Sequence, residues 1–144
     1  MHLNRGLEYG IEGLAYLAWA GADRSTLLRE VSQATSIPET FLSKIFQRLV
    51  QSGLIRSRRG FRGGFLLARP ASQITLREVV EALQGPIYAP SPEADPGGIS
   101  TGRAQQTVRQ VVERAQSRVR AMFEEITLAD LAAVGFSTQA ETRL

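Results

Sequence analysis

The stretch that decides the fold is residues 37–68, IPETFLSKIFQRLVQSGLIRSRRGFRGGFLLA. Its first half repeats large apolar residues at steps of three and four, a pattern typical of the buried stripe of an amphipathic helix. The stripe consists of Leu42, Ile45, Phe46 and Leu49. Pro38 suits the first turn of a helix, where its missing N–H costs nothing, and Gly53 suits the stop. The sequence therefore predicts a helix between Pro38 and Gly53, with a polar face opposite the stripe.

A basic, glycine-rich segment follows this helix. Two short apolar runs, at 54–55 and 65–68, flank a loop at 58–64 with the sequence RRGFRGG. Three glycines in five positions let the loop turn back on itself, which favours a β-hairpin. Before the main helix, Ser25 is the predicted cap of a short helix over residues 26–34, and a tight turn joins the two. The predicted fold class is mainly α with a small β-hairpin wing: a winged helix-turn-helix domain.

Positive charge is concentrated in this part of the chain, although the net charge is only +3. Residues 41–70 contain seven of the 17 basic residues and none of the 14 acidic ones. They are Lys44, Arg48, Arg56, Arg58, Arg59, Arg62 and Arg69. A solvated surface normally mixes the two signs, whereas a segment of one sign is the electrostatic footprint of a polyanion. We therefore expect double-stranded DNA as a partner.

Helix start signals frame the rest of the chain. Asn4 can cap a first helix that runs to about residue 20. Thr75 and Glu78 form a predicted capping box, and Thr127 with Asp130 repeats the pattern. Between them, residues 86–102 are rich in proline and glycine and are predicted to be a flexible loop.

Residues 103–125 are predicted to form one long helix with an apolar stripe. A single small domain cannot cover a helix of about 35 Å, so we expect it to pack on a second copy as a dimerisation helix. The predicted organisation is a winged helix-turn-helix domain at 1–85, a loop at 86–102, the dimerisation helix with a short C-terminal helix at 103–136, and a tail at 137–144. The stripe is formed by Val108, Val111, Val112, Ala115, Val119, Met122, Phe123 and Ile126.

The composition argues against an enzyme. The chain has no cysteine and a single histidine, His2, and its glycines do not follow a phosphate-binding pattern. We therefore predict no catalytic residues, no metal and no cofactor. No run of about 18 apolar residues and no signal-peptide core is present, so we expect a cytoplasmic protein with no membrane partner.

On these motifs the chain resembles the IscR/NsrR/CymR group of bacterial transcription regulators, the Rrf-two family, over nearly its whole length. The motifs are MHLNRGLEYG, SIPETFLSKIFQRLVQSGLIRSRRGFRGGFLLARP, ITLREVVEAL and ITLADLAA. The resemblance implies a homodimeric regulator, here a repressor, bound to a pseudo-palindromic operator. It places Glu39, Thr40, Phe41, Ser43 and Lys44 at base edges, and Arg58, Arg59, Arg62, Gly63 and Gly64 in the minor groove. Arg48 joins the predicted DNA-binding set as a phosphate contact.

One departure from this family concerns iron. Many members hold an iron–sulfur cluster through three cysteines in the loop before the long helix, and the corresponding loop here, PIYAPSPEADPGGISTG, has none. We therefore expect regulation without a cluster, through a regulatory partner protein at residues 86–102 or through a small ligand. A cleft with Tyr9, Tyr16, Trp19 or Tyr88 as walls is one candidate ligand site; the same aromatic residues as core is the other interpretation.

Two further alternatives remain open from the sequence. Phe41 can contact a thymine methyl group, or it can pack against the wing. The whole protein can be a specific regulator, or a winged-helix protein-interaction module or partner-controlled regulator with little intrinsic DNA specificity.

Overall fold

The computed structural model describes residues 4–60, 63–87 and 102–135. The predicted tail at 137–144, most of the predicted loop at 86–102, and Arg62 of the predicted wing loop lie outside the described residues.

The described residues form six α-helices and a two-stranded antiparallel sheet, which confirms the predicted fold class of a mainly helical chain with a hairpin wing. In chain order the elements are α1 (Arg5–Ala20), α2 (Leu28–Thr35), α3 (Glu39–Gln51), β1 (Ile55–Arg58), β2 (Gly64–Leu67), a short 3-10 helix (Ala71–Gln73), α4 (Leu76–Gln84), α5 (Arg103–Glu125) and α6 (Leu128–Gly135). No helix in these ranges is long and apolar enough to cross a membrane.

Helix α1 is the central element, and α2, α3, α4 and α6 all contact it. It begins as predicted, because the Asn4 side-chain oxygen accepts a hydrogen bond of 2.9 Å from the Leu7 N–H. Two buried glycines on α1 let its neighbours approach closely. A Cβ atom on Gly10 would lie 2.5 Å from Leu83 of α4, and one on Gly13 would lie 2.8 Å from the Phe46 ring of α3.

Helix α2 corrects the sequence prediction at its start. It begins at Leu28 rather than at residue 26, and the Ser25 hydroxyl has no hydrogen-bond partner in the described part of the chain. The reason is tertiary: Thr26 pairs with Phe65 of β2, with the Thr26 N–H donating over 2.9 Å and the Phe65 N–H over 2.8 Å. Backbone that forms this bridge cannot also form a first helical turn, so strand pairing takes precedence over the local capping signal.

The predicted stripe of α3 is buried in the core together with residues from α1, α4 and the hairpin. Phe46 is fully buried, and its ring meets the Phe65 ring of β2 edge to face at a centroid distance of 5.1 Å. This contact fixes the hairpin against the helix that precedes it.

Both predicted capping boxes are present. The Thr75 hydroxyl accepts from the Glu78 N–H at 3.2 Å, and the Thr127 hydroxyl accepts from the Asp130 N–H at 3.2 Å. The two motifs also pair with each other, which the sequence did not indicate: the Leu76 N–H donates to the Ile126 carbonyl at 2.7 Å. The starts of α4 and α6 are therefore joined by an antiparallel backbone bridge.

Helix α5 has the predicted length, but among the described elements only its C-terminal end finds packing partners. Phe123 is buried, and Glu124 pairs with Arg77 of α4 at 2.7 Å. Farther toward the N-terminus the apolar stripe is open to solvent, with Val108 62% and Val111 59% exposed. Most of a helix of about 35 Å therefore extends beyond the winged domain with its apolar face uncovered.

We predict that Gly13→Ala destabilises the protein by about 1–2 kcal/mol. Alanine gains up to about 1 kcal/mol of helix propensity, but overpacking against an immobile ring costs about 1–3 kcal/mol. The matched control is Gly6→Ala on the same helix, where a Cβ meets only the Asn4 side chain at 3.4 Å. Urea unfolding measures both variants, and equal stabilisation of the two would contradict the close contact of α1 with α3.

Candidate nucleic-acid interface

The exposed side of α3 carries hydrogen-bonding side chains, as predicted. Thr40 and Lys44 are exposed on it, and Ser43 is half-buried beside them. Pro38, at the N-cap position, supplies no side-chain hydrogen bond to the first turn. The helix therefore presents its N-terminal N–H groups and the positive end of its dipole next to these side chains, an arrangement suited to a phosphate.

Glu39 lies at the edge of this surface, toward α2. Its carboxylate is 3.9 Å from the guanidinium of Arg29, and both side chains are mostly exposed. An exposed ion pair at this distance is weak and screened by salt, so the Glu39 carboxylate stays available to another donor.

Phe41 lies on the opposite edge, toward α1. Its side chain is 57% exposed, and its ring meets the Tyr9 ring edge to face with centroids 6.2 Å apart. The described ring contact of Phe41 is thus with Tyr9 of α1; residues 61 and 62 of the wing lie outside the described residues.

The hairpin differs slightly from its predicted form. Arg58 and Gly64 are paired strand residues rather than loop residues, because β1 continues to Arg58. Arg58 and Arg59 are exposed and form no ion pair with any described residue. The turn requires glycine at position 63, where a Cβ would lie 2.7 Å from the Arg58 carbonyl oxygen.

The other basic residues of the segment divide into two groups. Arg56 donates to the Ala68 carbonyl at 3.0 Å, and Arg69 pairs with Glu78 at 2.6 Å. Lys44 and Arg48 on α3, like the two wing arginines, have no salt-bridge partner in the described ranges. Unneutralised positive charge is therefore left on α3 and on the wing.

Two residues outside the predicted set belong to the same surface. Gln47 is exposed one turn beyond Ser43 and Lys44. Its spacing of i+4 from Ser43 and i+3 from Lys44 could have predicted that it shares their helix face. Arg29 of α2 reaches the N-terminus of α3 through Glu39. Arg29 belongs to this surface because α2 packs on α3, and no local sequence pattern indicates that packing.

A separate cavity of about 390 Å³ lies between α1 and α6. Glu8, Ile11, Glu12, Ala15, Ala34, Leu131 and Gly135 line it. The described aromatic residues predicted as walls of a ligand cleft are not among them. Tyr9 and Tyr16 pack against the core instead, Trp19 lies against Tyr16, and Tyr88 lies outside the described residues.

The donor set does not fit an iron–sulfur cluster. Such a cluster needs thiolate or imidazole ligands, and the chain offers no cysteine and one histidine. Within the ranges that the structure covers, no group of three acidic, histidine or cysteine residues is arranged to hold a metal ion.

The helix-turn-helix and its basic hairpin wing place the chain in the class of helix-turn-helix transcription regulators. Residues 3–134 match the model of the Rrf2 family, described as "Iron-dependent Transcriptional regulator", and the chain belongs to that family. It is 32% identical over 134 residues to the transcriptional regulator IscR of Cereibacter sphaeroides, covering 91% of this chain and 86% of that protein.

Solved structures show the same fold. The structure of CymR, the global cysteine regulator of B. subtilis, superposes with a TM-score of 0.76 at 25% identity, covering 92% of this chain and 97% of that one. IscR of T. potens superposes with a TM-score of 0.74 at 20% identity, covering 100% and 92%, and at that identity the likeness concerns the fold alone.

We predict that the Arg69–Glu78 pair makes stability depend on pH. Burial raises the pKa of Glu78, but hydrogen bonds from the Thr75 N–H and Arg69 outweigh it and hold the pKa below its ordinary value of 4.5. This contribution to stability is present above about pH 4.5 and is lost as the pH falls through the lower folded-state pKa. Because the carboxylate is 37% exposed, the effect is small.

Thermal unfolding between pH 7 and pH 3 measures it, with Glu78→Gln losing less stability than the wild type over the acid range. Glu125→Gln, at an exposed position on α5, is the control and should follow the wild-type curve. Parallel curves for Glu78→Gln and the wild type would refute the linkage.

Proposed function

We propose that this chain is a homodimeric, sequence-specific DNA-binding repressor of the bacterial cytoplasm that works without an iron–sulfur cluster. The observation that carries the proposal is the unpaired positive charge of Lys44, Arg58 and Arg59 on a helix and hairpin of a winged fold. Paired charges lie behind this surface, so the free ones mark where a polyanion docks.

In this proposal α3 enters the major groove. Lys44 donates to guanine O6 or N7, and Thr40 and Ser43 donate to or accept from neighbouring base edges. Glu39 accepts from a cytosine N4 amine, for which its weak contact with Arg29 leaves it free. The N–H groups at the start of the helix and Arg48 contact phosphates and hold the helix in register.

The wing approaches the adjacent minor groove. Arg58, Arg59 and Arg62 supply the positive charge that a narrow minor groove attracts. Gly63 and Gly64 keep the hairpin backbone thin beside them. A wing of larger side chains at these two positions would hold the arginines away from the DNA.

The uncovered face of α5 supports the dimer. Val108, Val111 and Val112 are 62%, 59% and 48% exposed, and Met122 continues the stripe. A second copy of the same helix covers such a self-complementary stripe around a two-fold axis. The two recognition helices then meet half-sites about 34 Å apart, which requires a pseudo-palindromic operator.

Repression follows from occupancy, since a dimer that covers a promoter blocks access to it. In this proposal the winged unit at 1–85 binds DNA and the long helix binds the partner copy. The signal that releases the operator is a partner protein or a small ligand, and the cavity between α1 and α6 is a place for the latter.

The test of the proposed function is enrichment of genomic fragments on the purified protein, followed by affinity measurements across a salt series. A palindromic site whose affinity falls steeply with salt is the expected result. If no sequence is enriched, the protein is the interaction module that the sequence left open.

We predict that Arg59→Ala lowers the magnitude of the salt slope by about 1 for each bound protomer, because one cation fewer displaces counterions. Arg69→Ala is the control, since Arg69 is neutralised by Glu78. Fluorescence anisotropy measures the salt slope of each variant at salt concentrations on the order of 50 to 300 mM. Equal slopes for both variants would show that Arg59 of the wing is not part of the interface with DNA.

We predict that Val111→Glu converts the dimer to a monomer of 15.8 kDa, because two carboxylates at the axis of the α5 pair would be buried without partners. Val134→Glu on α6 is the control; Val134 is 79% exposed, and its replacement should leave the dimer intact. Sedimentation equilibrium measures both masses. A dimeric Val111→Glu protein would place the interface elsewhere.

A further inference from the structure

Phe41 is an apolar side chain on an otherwise polar binding surface. Its neighbours Thr40 and Lys44 are exposed and carry hydrogen-bonding groups, whereas the Phe41 ring, 57% exposed, has none. An exposed phenylalanine at this position contributes little to the core of the free protein. The apolar surface of this ring contributes favourable free energy only when another apolar group covers it.

The ring of Phe41 is held in place by Tyr9. The two rings are 6.2 Å apart at an interplanar angle of 63°, which is the edge-to-face arrangement that aromatic pairs prefer. Tyr9 is half-buried and packs against the core from α1. The scaffold behind it is stiff, because α1 lies against α3 through the close contact of Gly13 with Phe46. The contact with Tyr9 therefore favours one position of the Phe41 ring on the surface of α3.

A base edge in the major groove offers this ring one apolar group, the C5 methyl of a pyrimidine. Thymine carries it normally, and 5-methylcytosine carries the same group. Phe41 and Lys44 are three residues apart on α3, so their side chains are neighbours on the helix surface. A methyl group under Phe41 therefore lies beside the guanine that Lys44 contacts.

We propose that Phe41, positioned by Tyr9, is a specificity determinant that reads the C5 methyl of a thymine next to the guanine contacted by Lys44. The inference rests on the proposed function and deepens it. Phe41 touches the base; Tyr9 acts only through Phe41 and is a positioning residue.

The first experiment is selection on the wild-type dimer from three random-sequence duplex pools. One pool is made with thymine, one with uracil in place of thymine, and one with uracil and 5-methylcytosine. The expected result is a motif from the thymine pool that contains an adjacent guanine and thymine and that is not enriched from the uracil pool. A motif found only in the third pool would overturn the assignment to thymine.

The second experiment replaces single thymines of the selected duplex by uracil. Burying one methyl group corresponds to about a fourfold change in affinity, so loss of both symmetric methyls is expected to weaken binding about sixteenfold. The thymine-to-uracil ratio is the affinity for the thymine duplex divided by the affinity for the uracil duplex. It falls to about one in Phe41→Ala, while Phe41→Leu retains part of the wild-type ratio. The ratio is measured within each variant, so a partly unfolded preparation does not change it.

Tyr9 is tested with the same ratio. Tyr9→Ala is expected to lower the thymine-to-uracil ratio while specific binding persists. Tyr16→Ala is the matched control, because the Tyr16 ring contacts Trp19 on α1, 5.6 Å away. An unchanged ratio in Tyr9→Ala would show that Tyr9 does not position the ring.

The outcomes separate the two proposals. Failure of the thymine pool to yield any sequence would contradict the proposed function itself. A motif bound equally well with thymine and uracil by the wild type would leave DNA binding intact and overturn the role of Phe41 alone.

Discussion

The arrangement of the molecule depends on the backbone bridge between the starts of α4 and α6. Leu76 donates to the Ile126 carbonyl at 2.7 Å, and Leu128 donates to the Ile74 carbonyl at 3.0 Å. The end of α5 lies between these two helices in the sequence, so the bridge fixes where the long helix leaves the winged domain. The Arg77–Glu124 ion pair adds a second connection beside it. A short pairing of two threonine-centred segments thus sets the direction of a helix of about 35 Å.

Electrostatics and packing divide the basic residues in a consistent way. The arginines at the base of the hairpin have partners within the protein: Arg56 donates a hydrogen bond to the Ala68 carbonyl, and Arg69 forms an ion pair with Glu78. The basic residues farther out, on α3 and at the end of β1, are left without such partners. The guanidinium groups at the base thus have partners within the protein, while the charge farther out stays available to solvent and to polyanions.

Elements that depend on local patterns were predictable from the sequence, and those that depend on long-range pairing were not. The stripe of α3, the cap at Asn4, both capping boxes and the bounds of α5 follow from periodicity and capping chemistry. The start of α2 does not, because Thr26 is held by Phe65, far along the chain. No local pattern predicts the contact of Tyr9 with Phe41 either, because the two residues lie on different helices. The DNA contacts of the candidate site residues rest on resemblance and charge, and they stay a prediction.

The pairing of Thr26 with Phe65 has a consequence for how a duplex is recognised. A Cβ on Gly64 would lie 2.5 Å from the Thr26 carbonyl oxygen, so the hairpin lies directly against the segment that leads into α2. The described strands of the wing are therefore packed directly on the segment that leads into α2. Together with the contact between the Phe46 and Phe65 rings, this packing sets the position of β2 relative to α3. In the proposed complex, a duplex whose groove offset does not match α3 and the wing has to deform to fit, so its stiffness enters the selection of sequence even where no side chain touches a base.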